Sequence, residues 1–366
     1  MKVLSLSAEG YRNLASVSLC PDEGVNVICG DNAQGKTNLI EAIWNFTGAK
    51  SFRPSKERDF VKKGERVATL SLSFSAQGRE QSAKLRYGER REILLNGVGK
   101  TSPAELAGSF CCVVFSPAHL SIVKEGPSVR RRFLDGAICQ VRPRYIHVLY
   151  QYKKALSQKN AVLKELYKNG SAYDLLDVFD DSIAAWGAQV WRTRVRYLNK
   201  LGQNACSIYG GLSSSREELT VGYKSFLSLS PDTPLPQVQV AYREALRVAR
   251  TDDTGAGFST LGVHRDDCSL QIDGLDAKVY GSQGQQRSAA LALKLAEGYL
   301  LKEVSGETPV MLLDDVMSEL DQGRQSYVLN HLEGAQVFIT CCDAAHFEGL
   351  LSGKVFRMER GALSPA

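Results

Sequence analysis

Apolar positions along this chain change their spacing twice. From residue 2 to about 120 they alternate with polar ones in short runs. Val67 to Ser75, Ala83 to Tyr87 and Arg91 to Asn96 read as strands, with turns at Gly78, Gly88 and Asn96-Gly97. Alternation of period two with such turns predicts an antiparallel β-layer. From about residue 127 the spacing becomes helical. Pro127-Ser128 reads as a helix start. Helices are expected from Tyr145 to about Lys168, from Leu175 to about Ile208 and from Gln237 to Arg250. Ser213 to Arg216 is a polar break, Leu219 to Phe226 a short strand, Pro231 to Pro236 a turn, and Asp252-Asp253-Thr254-Gly255 closes the segment. Two further runs do not alternate. Val25 to Cys29 and Val310 to Leu313 are almost continuously apolar, as expected of parallel strands buried on both faces.

Those two strands carry the chemistry. Val25 to Cys29 runs into Gly30-Asp31-Asn32-Ala33-Gln34-Gly35-Lys36-Thr37, and Asn38 to Phe46 reads as a helix with Leu39, Ile40, Ile43, Trp44 and Phe46 on its apolar side. This is a G-x-x-x-x-G-K-T phosphate loop in its strand–loop–helix context. Backbone N–H groups and the helix dipole would cradle phosphate oxygens. Lys36 would reach the β- and γ-phosphates, and Thr37 would ligate Mg²⁺. At the other end of the chain, Leu312-Leu313 leads to Asp314-Asp315. Asp314 would hold the Mg²⁺ and its water shell, and Asp315 would polarise the attacking water. One nucleotide site must therefore be assembled from both ends of the chain. The predicted organisation is a split α/β core, residues 1–125 and 258–366, with 126–257 inserted as a mainly helical arm.

Composition and charge sharpen this division. At 366 residues and 43% hydrophobic content, the chain can bury one large core and a smaller one. The net charge of +5 is unevenly spread: residues 126–257 hold 19 Lys and Arg against 12 Asp and Glu, the remainder 26 against 28. A basic insertion suits a DNA backbone, and suits a solvated helical face equally. The segment Lys50 to Lys63, basic with Phe52 and Phe60 between its charges, reads as a DNA contact or a loop over the nucleotide. Arg130, Arg131 and Arg132 lie early in a helix, where the dipole disfavours cations, and so call for an anionic partner. Arg192, Arg194, Arg196 and Lys200 decorate the longest helix. The cluster His264-Arg265-Asp266-Asp267 either couples the arm to the nucleotide site or is a structural ion pair at the junction. Nine cysteines form no C-x-x-C. Cys29, Cys111, Cys112, Cys341 and Cys342 read as reduced core residues, which suits a reducing cytoplasm and argues against zinc. No signal peptide and no run of 18 apolar residues is present, so no membrane association is expected.

A third motif sets the class of ATPase. Tyr280-Gly281-Ser282-Gln283-Gly284-Gln285-Gln286-Arg287 precedes a helix expected from Ser288 to about Lys302. Gly281 to Gln285 resembles the signature loop of ABC-type ATPases, and Ser318-Glu319-Leu320-Asp321 resembles their D-loop. Further landmarks span the chain: Tyr11-Arg12-Asn13-Leu14, Lys50-Ser51-Phe52-Arg53, Phe115-Ser116-Pro117, Gly126 to Asp135, and Gly262-Val263-His264-Arg265-Asp266-Asp267. With these, the chain resembles the RecF family of bacterial recombination-repair ATPases, related to SMC and Rad50 proteins. The resemblance implies ATP and Mg²⁺ as cofactors, with Arg12, Asn13 and Asn38 joining residues 30–37 around the nucleotide. It implies that Ser282, Gly284 and Gln285 meet the γ-phosphate held by a second protomer, so that ATP joins a homodimer. It further implies binding to double-stranded and gapped DNA, cooperation with RecR and RecO, loading of RecA at single-stranded gaps, roles in replication maintenance and the SOS response, and a cytoplasmic, nucleoid-associated location.

Departures from the family pattern bear on rate. Val263 stands where many relatives carry Pro. Asp315 replaces the Glu of general ABC ATPases, and Gln336 to Thr340 leads to Cys341-Cys342-Asp343 without a switch His. A shorter carboxylate and a missing γ-phosphate contact predict a weak ATPase, slower than the ~10 s⁻¹ median turnover. An arm of this length cannot supply the long coiled coil of full SMC or Rad50 chains. The alternative, a nucleotide-binding subunit of a transporter or another ABC-type assembly, leaves the basic insertion unexplained. A dead nucleotide site is opposed by Lys36, Thr37, Asp314 and Asp315, and Asn199-Lys200-Leu201-Gly202 lacks the Asp that would read guanine.

Overall fold

The computed structural model describes residues 1–53, 55–169, 175–343 and 353–366. Pro54 of the basic Lys50 to Lys63 segment, 170–174 of the expected arm and 344–352 of the expected core lie outside the described residues. In chain order the strands and helices are β1 (Lys2–Tyr11), β2 (Leu14–Leu19), β3 (Val25–Cys29), α1 (Lys36–Trp44), β4 (Ala68–Ala76), β5 (Arg79–Tyr87), β6 (Glu92–Leu95), β7 (Val98–Gly99) and β8 (Cys112–Phe115). There follow α2 (Ser121–Lys124), α3 (Pro127–Val141), α4 (Arg144–Asn169), α5 (Leu175–Leu212), β9 (Leu219–Lys224), α6 (Leu235–Val248), α7 (Arg250–Ala256), β10 (Asp267–Ile272) and β11 (Leu275–Asp276). The chain closes with α8 (Gln283–Ser305), β12 (Val310–Asp314), α9 (Gln322–His331), β13 (Val337–Cys341), β14 (Gly353–Glu359) and β15 (Ala362–Pro365).

The alternating N-terminal runs form an antiparallel sheet in the order β2-β1-β4-β5-β6-β7. The continuous apolar runs lie inside a second sheet, β15-β14-β3-β13-β12-β8, whose strands are parallel except for the β14–β15 hairpin. At β12 and β13 every residue is buried, because both faces of the sheet are covered there, which is why these strands are almost continuously apolar. Val310 and Leu312 of β12 join Leu39, Ile40 and Ile43 of α1 and Leu6, Leu70 and Phe74 of the antiparallel sheet in one buried cluster. Met311 and Leu313 point the other way, into a cluster with Leu291, Leu293 and Leu295 of α8 and Trp191 and Tyr209 of α5. The side-chain period of two along β12 thus divides the core into two halves.

Residues 126–257 hold α3 to α7 and β9. The long α5 packs along α8, and α4 and α6 pack on α5. Most buried residues of these helices belong to the same cluster as Met311, Leu313 and α8, and among the described residues only Leu163, Leu166 and Leu176 form a small cluster of their own. β9 leaves the helices and pairs antiparallel with β10, in register from Leu219↔Ile272 to Lys224↔Asp267. Ion pairs tie the segment down. Arg130 makes two hydrogen bonds of 2.7 Å to the Asp267 carboxylate. The ammonium of Lys159 sits fully buried 2.8 Å from Asp180 and 2.7 Å from Asp253.

Several expectations need correction. Asp252 to Gly255, read only as the close of the segment, lies within α7, where buried Asp253 accepts hydrogen bonds from Lys159, Thr260 and Ser259. Arg194 does not decorate the surface of α5: it is 3% exposed and donates to Asp135 and to the Val263 carbonyl. Phe60 is also buried, between Tyr11 and Tyr87, and is no DNA contact. Cys342 is exposed rather than in the core, since it lies past the end of β13. The junction cluster follows the structural reading, with Asp267 paired to Arg130 and His264 Nδ1 2.7 Å from the Tyr152 hydroxyl. No helix among the described residues is long and apolar enough to cross a membrane.

Candidate functional site

β3 delivers Gly30 to Lys36 as a loop closing on α1. Gly35 has φ 119°, and a Cβ there would meet Asn13 Oδ1 at 2.8 Å, so the second glycine of the motif is required by sterics as well as by conformation. Ala33 also adopts a left-handed φ of 64°, the local strain that a tight anion cradle requires. The Lys36 ammonium lies inside the loop and donates to the carbonyls of Gly30 (2.5 Å) and Asp31 (3.0 Å). These bonds hold the curl of the loop. Asn13 links the β1–β2 turn to the loop, donating to the Ala33 carbonyl at 3.3 Å and accepting from Asn38 Nδ2 at 2.6 Å. Gln34 accepts from the Arg360 amide and, through its carbonyl, from the Gly361 amide, so the β14–β15 turn buttresses the loop. Asn32 Oδ1 lies 3.3 Å from Cys342 Sγ.

The aspartate strand meets this loop through adjacent strands of the parallel sheet, β3-β13-β12. Asp314 Oδ1 accepts from Thr37 Oγ1 and Thr340 Oγ1, each at 2.9 Å. Burial pushes the Asp314 carboxyl above its usual 3.8, opposed by the hydroxyls of Thr340 and Thr37, while neighbouring Asp315 pushes it further up. Among the described residues no Lys or Arg ion-pairs with it. A buried carboxylate beside a threonine hydroxyl, both hard oxygen donors, suits a hydrated Mg²⁺. Asp315 turns out of the strand with φ 59°, its amide donating to Thr340 Oγ1 at 2.9 Å. Lys36, Thr37, Asp314 and the loop are therefore brought together as expected.

Arg12 does not face the loop freely. It makes a bidentate pair with Glu41 (2.9 and 2.8 Å) and lies over Phe60. Arg53 donates to Glu41 and to Asn38 Oδ1, both at 2.6 Å, and Ser51 donates to Glu41 as well. Glu41 is fully buried, and sequence reasoning missed it. An acid inside the apolar run of α1 is the signal that could have found it, since buried carboxylates require partners. Thr340, at the end of β13, carries no such signal. Burial acts to raise the Glu41 carboxyl, yet the hydrogen bonds from Arg12, Ser51 and Arg53 outweigh it and hold the group below its usual 4.5.

Ser282, Gly284 and Gln285 are elsewhere. The helix starts five residues before its expected position, because Ser282 caps it: Ser282 Oγ accepts from the Gln285 amide and Gln285 Oε1 from the Ser282 amide. Gln285 Nε2 donates to Glu217 at 2.8 Å. This turn lines a cavity of about 370 Å³ with residues 211–214, Arg216, Glu217 and the start of α9, and no phosphate-loop residue borders it. One chain thus carries two anion-receptive features that do not meet.

A split parallel core with a phosphate loop, an aspartate strand and a separate serine-capped helix has the RecF/SMC head-like ABC-type ATPase fold. The chain belongs to the RecF family: the sequence model described as RecF/RecN/SMC N-terminal domain matches residues 2–362. The DNA replication and repair protein RecF of Clostridium acetobutylicum is 36% identical over 368 residues, covering 100% of this chain and 99% of that protein. That of Bacillus subtilis is 38% identical, covering 99% and 100%. The solved structure of the recombination mediator protein RecF-ATP in the RecFOR pathway superposes with a TM-score of 0.92 at 37% identity, covering 100% of this chain and 97% of that one. The Smc head domain of Pyrococcus furiosus, at TM-score 0.56 and 16% identity over 100% and 96% of the two chains, shares the fold.

Proposed function

We propose that this chain is an ATP-dependent DNA-binding protein of recombinational repair, working as a dimer closed by ATP. The observation that carries the reading is the separation within one chain of the phosphate loop from the serine-capped turn, each incomplete alone. It is supported by relatives named as DNA replication and repair proteins and by the solved RecF-ATP and RecF-ATPrS structures.

In this reading residues 30–38 and Lys36 hold the triphosphate, Lys36 exchanging its carbonyl partners for β- and γ-phosphate oxygens. Arg12 shapes this site through Glu41, and Asn13 through Asn38. Thr37 and Asp314 hold Mg²⁺, which when bound neutralises phosphate charge and orients the γ-phosphate. Asp315 polarises the attacking water. Ser282, Gly284 and Gln285 of the second protomer approach the γ-phosphate with a hydroxyl, backbone N–H groups and the α8 dipole. Two such contacts close the protomers head to tail. Closure aligns the two 126–257 arms, and their excess positive charge forms a groove for double-stranded or gapped DNA. Slow hydrolysis reopens it, which allows RecR with RecO, and through them RecA, to take over a single-stranded gap. A transporter subunit is the less favoured reading, since it gives no role to the basic arm.

Solution mass measured by light scattering tests this. ATP and Mg²⁺ should double the mass of the wild-type protein, and Ser282→Arg should abolish the doubling while leaving ATP binding by the monomer intact. A mass that ATP leaves unchanged even with gapped DNA present would overturn the proposal, as would a normal dimer of the variant.

A further inference from the structure

The cavity beside Ser282 contains cations that the phosphate loop lacks. Arg324, in the first turn of α9, places Nη1 3.9 Å from where a Cβ on Gly284 would lie, so its guanidinium rests against the serine-capped turn. Its ion pair is a single 3.3 Å contact with Asp321, three residues back on the same helix, which leaves most of its five N–H donors for another partner. Arg216, exposed on the turn between α5 and β9, faces the same cavity. The nearby Glu217 carboxylate is already engaged, by the Tyr209 hydroxyl at 2.7 Å and Gln285 at 2.8 Å. The cavity therefore offers a hydroxyl, a helix N-terminus and two arginines to an anion.

On the phosphate-loop side Lys36 serves the β- and γ-phosphates, and two nearby arginines are committed elsewhere. Arg12 and Arg53 both serve Glu41, and β13 ends in Cys341-Cys342-Asp343 with no histidine in that stretch. We propose that Arg324 acts in trans, donating to the γ-phosphate held by the phosphate loop of the other protomer. This rests on the head-to-tail reading above. In the step it serves, a water oxygen bonds to the γ-phosphorus as the bridging P–O bond breaks. The leaving ADP oxygen keeps the electron pair, and the water proton passes to Asp315. Arg324 neutralises the charge spread over the equatorial γ-oxygens, the role an arginine supplied across an interface plays in other nucleotide hydrolases.

Mixed protomers provide the test. Arg324→Ala should still double its mass with ATP, keep KM within about threefold and lose at least about tenfold in kcat. Asp315→Asn should also be slow. Mixing the two should restore turnover well above either alone, because each mixed dimer has one site with Asp315 from one chain and Arg324 from the other. Arg324→Lys should recover part of the rate, having charge without the fork. Wild-type kcat in Arg324→Ala would overturn the role of Arg324 while leaving the dimer reading intact. A slow Arg324→Ala that mixing fails to rescue would overturn action in trans, and loss of the ATP-driven mass doubling in Arg324→Ala would reduce Arg324 to a structural role. Failure of the Ser282→Arg mass experiment would remove the head-to-tail reading itself and this inference with it.

Discussion

Glu41 connects the stability of the phosphate site to pH. Two guanidinium groups and a serine hydroxyl converge on one fully buried carboxylate. Folding holds its pKa below 4.5, so the unfolded chain binds that proton more readily than the folded one. The stabilisation is complete above pH 4.5 and fades as pH falls through the lower, folded-state value. Glu41→Gln should cost about 3 kcal/mol at pH 7, since it leaves Arg12 and Arg53 near a neutral buried amide. Urea unfolding of both proteins at pH 7 and pH 4 should show this difference shrinking at the lower pH. A difference independent of pH would mean that Glu41 acts by packing alone. The same residue marks a limit of the sequence. The phosphate-loop residues were legible because a spaced motif encodes them locally. Glu41 owes its role to Arg12 and Arg53, which arrive from other segments.

At the scale of elements, α5 illustrates how tertiary packing overrides local preference. Gly187 lies in the interior of this helix, where Ala would ordinarily be favoured by about 1 kcal/mol. A Cβ there would stand 2.6 Å from the ring of Tyr242. That ring is fully buried and pinned by hydrogen bonds to the Val263 amide and the Tyr152 hydroxyl. Overpacking costs about 1–3 kcal/mol, so Gly187→Ala should destabilise the protein on balance, by about 1 kcal/mol. A rise in its urea midpoint would show that Tyr242 can move aside. Helix spans were readable wherever apolar spacing repeats, as in α4 and α5. The start of α8 was not, because the residues from Gln283 to Arg287 are polar and only the reciprocal bonds of Ser282 and Gln285 reveal the cap. α7 was hidden for a related reason: its run from Thr251 to Gly255 has no apolar spacing, and the burial of Asp253 depends on Lys159 from α4.

For the whole molecule, the proposed mechanism requires ATP and DNA to strengthen each other's binding by the same factor. Kd for gapped DNA, measured with and without ATP, should fall in the wild type with ATP and stay constant in Ser282→Arg. Raising the salt should weaken both states, as phosphate contacts demand. Equal DNA affinity in the two nucleotide states would separate DNA binding from the ATP switch. By itself the sequence determined the strands that carry the two motifs and the placing of Lys36 and Thr37 beside Asp314, though not of Thr340, because continuous apolar runs and loop motifs are written in neighbouring residues. Only the tertiary structure decided that the inserted helices share the main core instead of building their own. It also decided that Arg194 is internal, and that Arg324 lies against Gly284. Each of these depends on contacts between segments far apart in the chain, and burial or ion pairing across such distances leaves no periodic trace in the sequence.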